Sequence, residues 1–225
     1  MKVIENLQAI QENILQACMK SNRNPNEVKI IAVTKYVSND RAKEAIEAGI
    51  LDLGENYDEG LIAKWEVLQD KPTWHFIGSL QTRKVKNMID KVDYIHSLDR
   101  PSLAKEINKR ANKRMKCLVQ VNVSGEESKH GLAPQEVINF IKTIQDYPNI
   151  EVAGLMTMAP HTDDQSILRN CFRTLKSLQI EVQQMKLEYA PCIELSMGMS
   201  NDYVIAVEEG ATLVRIGTAL VGEEM

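Results

Sequence analysis

The chain has 225 residues, 44 % of them hydrophobic, and a formal net charge of −4. That length suits a single domain over residues 1–225 built from eight strand–helix units, which take roughly 200 to 250 residues. The acid excess argues against nucleic acid or an anionic membrane as main partner, because both select a basic face. Cys18, Cys117, Cys171 and Cys192 form no C-x-x-C pair and no metal-like spacing with histidine, so free thiols in a reducing cytoplasm are expected. The first twenty residues have no apolar stretch of the signal-peptide kind. No apolar run approaches the roughly 18 residues of a membrane span.

In chain order, residues 2–20 come first. Ile4, Leu7, Ile10, Ile14 and Leu15 make an apolar stripe that predicts a helix packed across the rest of the fold, ending before Pro25. Eight apolar runs rich in β-branched residues follow: Val28–Lys35, Asp52–Asn56, Thr73–Gly78, Tyr94–Leu98, Met115–Val123, Val152–Met158, Ile193–Met197 and Leu213–Leu220. The intervals carry helical spacing, as in Ala42, Ala45 and Ile46, or Val137, Ile138, Ile141 and Ile144. Strand then helix, eight times, predicts a parallel sheet with helices outside it. Runs apolar on both faces, such as Lys116–Val123, suit a sheet covered on both sides. The count of eight predicts an α/β fold, a single (β/α)8 TIM barrel with an extra N-terminal helix; an open doubly wound sheet is the fallback. The charged segment Lys105–Lys116 reads as the solvated face of a helix.

Lys35 ends the first run on the same face as Ile31 and Val33, because side chains alternate along a strand. In a barrel, the C-terminal strand ends surround the active site. A lysine there either reaches solvent or serves as an amine, and a desolvated amine adds to carbonyls. Lysine is also the residue that pyridoxal 5′-phosphate (PLP) requires, since its aldehyde is carried as an imine. Arg215 lies within the eighth run, where a buried guanidinium demands either a partner carboxylate or a ligand acceptor. Ser200, Asn201 and Asp202 follow the seventh run, as a helix cap or as part of a phosphate site. Gly217 and Thr218 follow the eighth, in the place where many barrels bind phosphate. Asn56 either hydrogen-bonds a phenolic ring oxygen or caps the next helix. His75 points into the barrel, as a core histidine or as a member of the binding set. His96, His130 and His161 are scattered and suggest no metal site.

Together these residues carry a resemblance. Ala-Val-Thr-Lys35-Tyr, Gly54-Glu-Asn-Tyr57, His75-Phe-Ile-Gly78, Gln120-Val-Asn-Val123, Ser128-Lys-His-Gly131, Gly154-Leu-Met-Thr-Met158, Ser196-Met-Gly-Met-Ser200 and Arg215-Ile-Gly-Thr218 run nearly the whole length in order. In them the chain resembles the pyridoxal phosphate homeostasis proteins, whose fold is similar to the barrel domain of alanine racemase. Leu220-Val221 departs from the aromatic residue often found there in the family. The resemblance implies that Lys35 forms the imine with PLP, that Ser200, Gly217 and Thr218 hold the phosphate, that Arg215 faces the pyridine nitrogen and that Asn56 lies near the ring.

It further implies a protein that stores and delivers PLP to apo PLP-dependent enzymes without catalytic turnover, as a monomer in the cytoplasm. Lys129, in the loop after the fifth run, is either solvated or takes part in handing PLP over. Two other readings compete. A weak amino-acid racemase needs a second base, supplied in racemases of this fold by a separate β-domain, and the sequence stops three residues after Gly222. A sugar-phosphate enzyme with a Schiff-base lysine fits the Arg215 and Ser200 pattern less well.

Overall fold

The computed structural model describes residues 2–126 and 128–223. It opens with helix α1 (Val3–Lys20) and continues as β1 (Lys29–Val33), α2 (Asn39–Glu47), β2 (Asp52–Glu55), α3 (Asp58–Leu68), β3 (Thr73–Phe76), α4 (Val85–Met88) and β4 (Tyr94–Leu98). Then come α5 (Pro101–Arg110), β5 (Met115–Gln120), α6 (Val137–Thr143), β6 (Ile150–Met156), α7 (Gln165–Gln184), β7 (Glu194–Ser196), α8 (Tyr203–Glu208), β8 (Leu213–Ile216) and α9 (Thr218–Val221). All neighbouring strands pair in parallel, and β1 pairs with both β2 and β8, which closes the barrel. The open-sheet fallback is thereby excluded.

Helix α1 buries Val3, Leu7, Ile10, Ile14 and Ala17, a 4-3-4-3 spacing that forms one line on a helix of 3.6 residues per turn. Ile4 and Leu15 lie off that line and remain exposed, so the expected stripe was wrong at both ends. The helix packs against α8 and α9 on the outside of the barrel. Asn6 donates to the carbonyl of Leu220, and Asn13 to the hydroxyl of Tyr203, both at 2.8 Å.

Most apolar runs outlast their strands. Lys35, Asn56, Gly78, Val123 and Met158 lie beyond the last ladder residue and belong to loops at the upper mouth. The eighth run changes conformation at Gly217, and its remainder is α9, whose Leu220 and Val221 are buried against the core. Apolar residues there serve helix packing rather than a strand. The segment Lys105–Lys116 is also divided: α5 stops at Arg110, and Met115 and Cys117, buried against the helices, alternate with exposed Lys116 in β5.

Inside the barrel, Ile31, Leu118, Met156 and Leu213 form a small apolar cluster; the outward faces pack on the helices. Loops at the upper mouth approach closely where glycine sits. A Cβ added to Gly78 would lie 2.1 Å from the carbonyl oxygen of Asn56. Capping is conventional: Ser38 accepts from the Arg41 N–H, and Asp164 from Ser166 and Ile167. Among the described residues, no helix is long and apolar enough to cross a membrane.

Candidate functional site

The strand ends converge on a cavity of about 320 Å³ at the upper mouth, within the size range of small-ligand clefts. Lys35, Asn56, Ser200, Arg215, Gly217 and Thr218 all line it, with Val33, Ile77, Met158 and Ala159 among the apolar wall. A larger cavity of about 410 Å³ lies between α1 and the lower end of β1, but it gathers none of these residues.

Lys35 follows β1 by two residues and keeps the face of Ile31 and Val33. Its ammonium rests over the Tyr36 ring, 4.7 Å from the centroid. A buried brace fixes the backbone beside it. The Thr34 hydroxyl donates to Glu55 Oε1 at 2.5 Å, and Lys64 Nζ lies 3.0 Å from the same oxygen. Thr34 precedes Lys35 and Glu55 precedes Asn56, so one ion pair orders both cavity residues.

Arg215 is 4 % exposed. Its Nη1 donates to Ser196 Oγ at 2.6 Å and its Nη2 to the carbonyl of Thr157 at 3.0 Å. Among the described residues no carboxylate lies in ion-pair contact with it, so of the two alternatives the partner carboxylate falls away. Burial pushes its pKa down to about 10, against the opposing field of Asp202, and it stays cationic at neutral pH. The Asp202 carboxyl is itself raised by burial, although the Met199 N–H donates to it at 2.5 Å and Arg215 attracts it. A buried cation with only neutral acceptors suits an electron-rich ligand atom.

Asn56 does not cap α3, whose N-terminal boundary is Tyr57 with no side-chain cap. Among the described residues its buried Oδ1 has no hydrogen-bond partner, an uncommon condition that a ligand donor would relieve. Ser200 Oγ accepts from the Ala219 N–H at 3.5 Å, joining the two loops that carry Ser200 and Thr218. Gly217 precedes α9 with φ −100° and ψ −100°. A Cβ there would meet nothing closer than Val33 at 3.6 Å. Packing does not require glycine, and its missing side chain leaves room in the cavity.

Two expected site residues lie elsewhere. His75 is buried beneath the cavity and does not line it: Nε2 bonds Asp52 and Nδ1 bonds His96, each at 2.9 Å. Lys129 is ion-paired with Glu126 at 2.9 Å and is also absent from the cavity wall. Glu127, beside it in the same motif, falls outside the described residues. His96 and Ser196 were not singled out from sequence. Their signal was the same inward period of two that placed Lys35, applied to β4 and β7.

Residues 6–225 match the family described as alanine racemase, N-terminal domain. The chain is 42 % identical to the pyridoxal phosphate homeostasis protein of Aquifex aeolicus, covering 99 % of each chain. It is 37 % identical to the human protein of that name, covering 96 % of this chain and 85 % of the other. Among solved structures, an unknown protein from Bifidobacterium adolescentis superposes with TM-score 0.93 at 32 % identity, covering 97 % of this chain and 94 % of that one. PipY of Synechococcus elongatus with PLP bound superposes with TM-score 0.84 at 30 % identity, covering 98 % and 100 %. Alanine racemase from Corynebacterium glutamicum, at 16 % identity and TM-score 0.70 over 95 % of this chain and 60 % of its own, shares the fold.

Proposed function

Because this chain belongs to the pyridoxal phosphate homeostasis protein family, we propose that it holds PLP in the upper cavity with Lys35 as the covalent anchor. One observation carries the reading: a lysine amine, a buried guanidinium without a carboxylate, an unpartnered amide oxygen and a side-chain-free glycine share one cleft. PLP presents an aldehyde, a ring nitrogen, a phenolic oxygen and a phosphate, one group for each.

When bound, PLP supplies an aldehyde that condenses with a primary amine. The chain's residues do the rest. Lys35 offers the amine at the end of β1. Arg215 faces the ring nitrogen and, being unable to take up a proton, leaves that nitrogen without one. Asn56 binds the phenolic oxygen, and Ser200, Gly217 and Thr218 hold the phosphate. An unprotonated ring is a weak electron sink, so the site favours retention over turnover. In this reading the protein is a cytoplasmic monomer that keeps free PLP low and passes it to apo PLP-dependent enzymes.

Racemisation would require a base on each face of the substrate α-carbon. Tyr36 and Tyr57 are exposed and do not line the cavity. His161 lines it only from an exposed position at the rim. The test adds PLP and reads two quantities. The absorption band should move to longer wavelength than that of free PLP. Exchange of the L-alanine α-proton in deuterated water, followed by NMR with Lys35→Ala as blank, should be very slow or absent. Exchange at several turnovers per second, lost in the variant, would make the protein an enzyme.

A further inference from the structure

Beneath the cavity, five side chains from five strands form an unbroken line. Arg215 Nη1 donates to Ser196 Oγ at 2.6 Å, and Ser196 Oγ lies 2.9 Å from His96 Nδ1. His96 Nε2 lies 2.9 Å from His75 Nδ1, and His75 Nε2 lies 2.9 Å from Asp52 Oδ1. His75, His96, Ser196 and Arg215 are buried, whereas the Asp52 side chain keeps 17 % exposure at the lower mouth. The line therefore runs through the barrel from one mouth to the floor of the other.

With Asp52 ionised and both imidazoles neutral, these groups take one proton order. An ionised carboxylate only accepts, so His75 carries its proton on Nε2. As a neutral ring it accepts at Nδ1, which requires His96 to donate from Nε2. His96 then accepts at Nδ1, the Ser196 hydroxyl donates to it, and the serine oxygen is left to accept from Arg215. Burial first, and then the charge of Arg215, hold His96 well below the ordinary histidine range, consistent with a neutral ring. Tyr94 stacks on His75 at 4.7 Å with 10° between the planes and fixes its orientation. Asp52 shares the lower-mouth cavity with Lys29 from β1, Asp93 and Tyr94 from the start of β4, and Lys113, Arg114 and Lys116 from the start of β5.

We propose that Asp52, His75, His96 and Ser196 are positioning residues for Arg215, a one-way hydrogen-bond relay that aims its guanidinium into the cavity and couples it to the Asp52 carboxylate at the opposite mouth. Only what Arg215 faces, the PLP ring, rests on the function proposed above. Chains of hydrogen bonds polarise one another in a low-dielectric interior, so removing the terminal charge should be felt along the line.

The test uses the full chain labelled with 15N in histidine, without ligand, and reads ring-nitrogen shifts by NMR at neutral pH. Wild type should show His75 and His96 each as the Nε2–H tautomer. Asp52→Asn keeps the shape and removes the charge. It should shift the His96 ring as well as the His75 ring, although Asp52 touches only His75. Ser196→Ala cuts the line at its other end and should shift the His96 ring independently of how Asp52→Asn folds. Titrated with PLP, both variants should bind roughly two- to thirtyfold more weakly than wild type, the scale of coupling through such networks. His96 found as the Nδ1–H tautomer, His96 unmoved by Asp52→Asn, or unchanged PLP affinity in both variants would overturn the relay. A wild type that takes up no PLP contradicts the function proposed above, and the ring shifts of the ligand-free protein then decide the relay alone.

Discussion

Ser200 and Lys129 were both marked by position in sequence, and the fold separates them. Ser200 lies on the cavity wall beside Gly217 and Thr218, where a hydroxyl can serve a phosphate. A hydrogen bond to a charged group contributes about 1.5–3 kcal/mol, so Ser200→Ala should weaken PLP binding roughly tenfold or more. Phosphate-free pyridoxal should bind the two proteins alike. Equal losses for both ligands, read by titration, would remove Ser200 from the phosphate site. Lys129 is held by Glu126 away from that wall. Lys129→Ala should therefore leave the rate of PLP transfer to an apo-enzyme unchanged, and a slower transfer would return Lys129 to the mechanism. The difference was not legible in sequence, because the loop after β5 has no period that sets the direction of a side chain. Lys35 was legible, because the alternation of a strand assigns it to a face, whereas the direction of Arg215 rested on the family resemblance.

At the scale of elements, the order of strands and helices was legible from spacing, whereas their ends were not. An apolar run does not reveal whether it continues as ladder, loop or helix, and Leu220 is buried as well by α9 as it would be by a strand. The pairing of His75 with His96 depends on the register between β3 and β4, which aligns His75 with Tyr94 rather than with His96. Electrostatics ties α3 to α4 and the residue before it. Asp58, in the first turn of α3, is buried, which by itself would raise its carboxyl. Lys84 at 2.5 Å and Asn87 at 3.0 Å overcome that and hold it at about 2. A folded-state value below the unfolded one, near ~3.9, contributes stability that is present at neutral pH and is lost as pH falls through the folded value. The contribution is on the order of 2 kcal/mol. Asp58→Asn should lower the thermal midpoint at pH 7 and flatten the loss of stability between about pH 4 and 2. A variant with the wild-type acid profile would show that this carboxylate does not anchor α3.

For the whole molecule, the closed barrel decides which residues meet. Lys35, Asn56, Ser200 and Arg215 come from the first, second, seventh and eighth strand regions, and closure between β8 and β1 makes them neighbours. An open sheet would have placed β1 and β8 apart. The count of eight runs made that closure legible, and the motifs carried the resemblance to the family. The hydrogen-bond line through the interior was not legible, because it needs the strands in register around a closed ring. The account as a whole stands on Lys35 as the point of attachment. Purified protein incubated with PLP, reduced with borohydride, digested and mapped by mass spectrometry should carry the pyridoxyl group on the peptide containing Lys35. A label found only on other lysines, or no label at all, would contradict it.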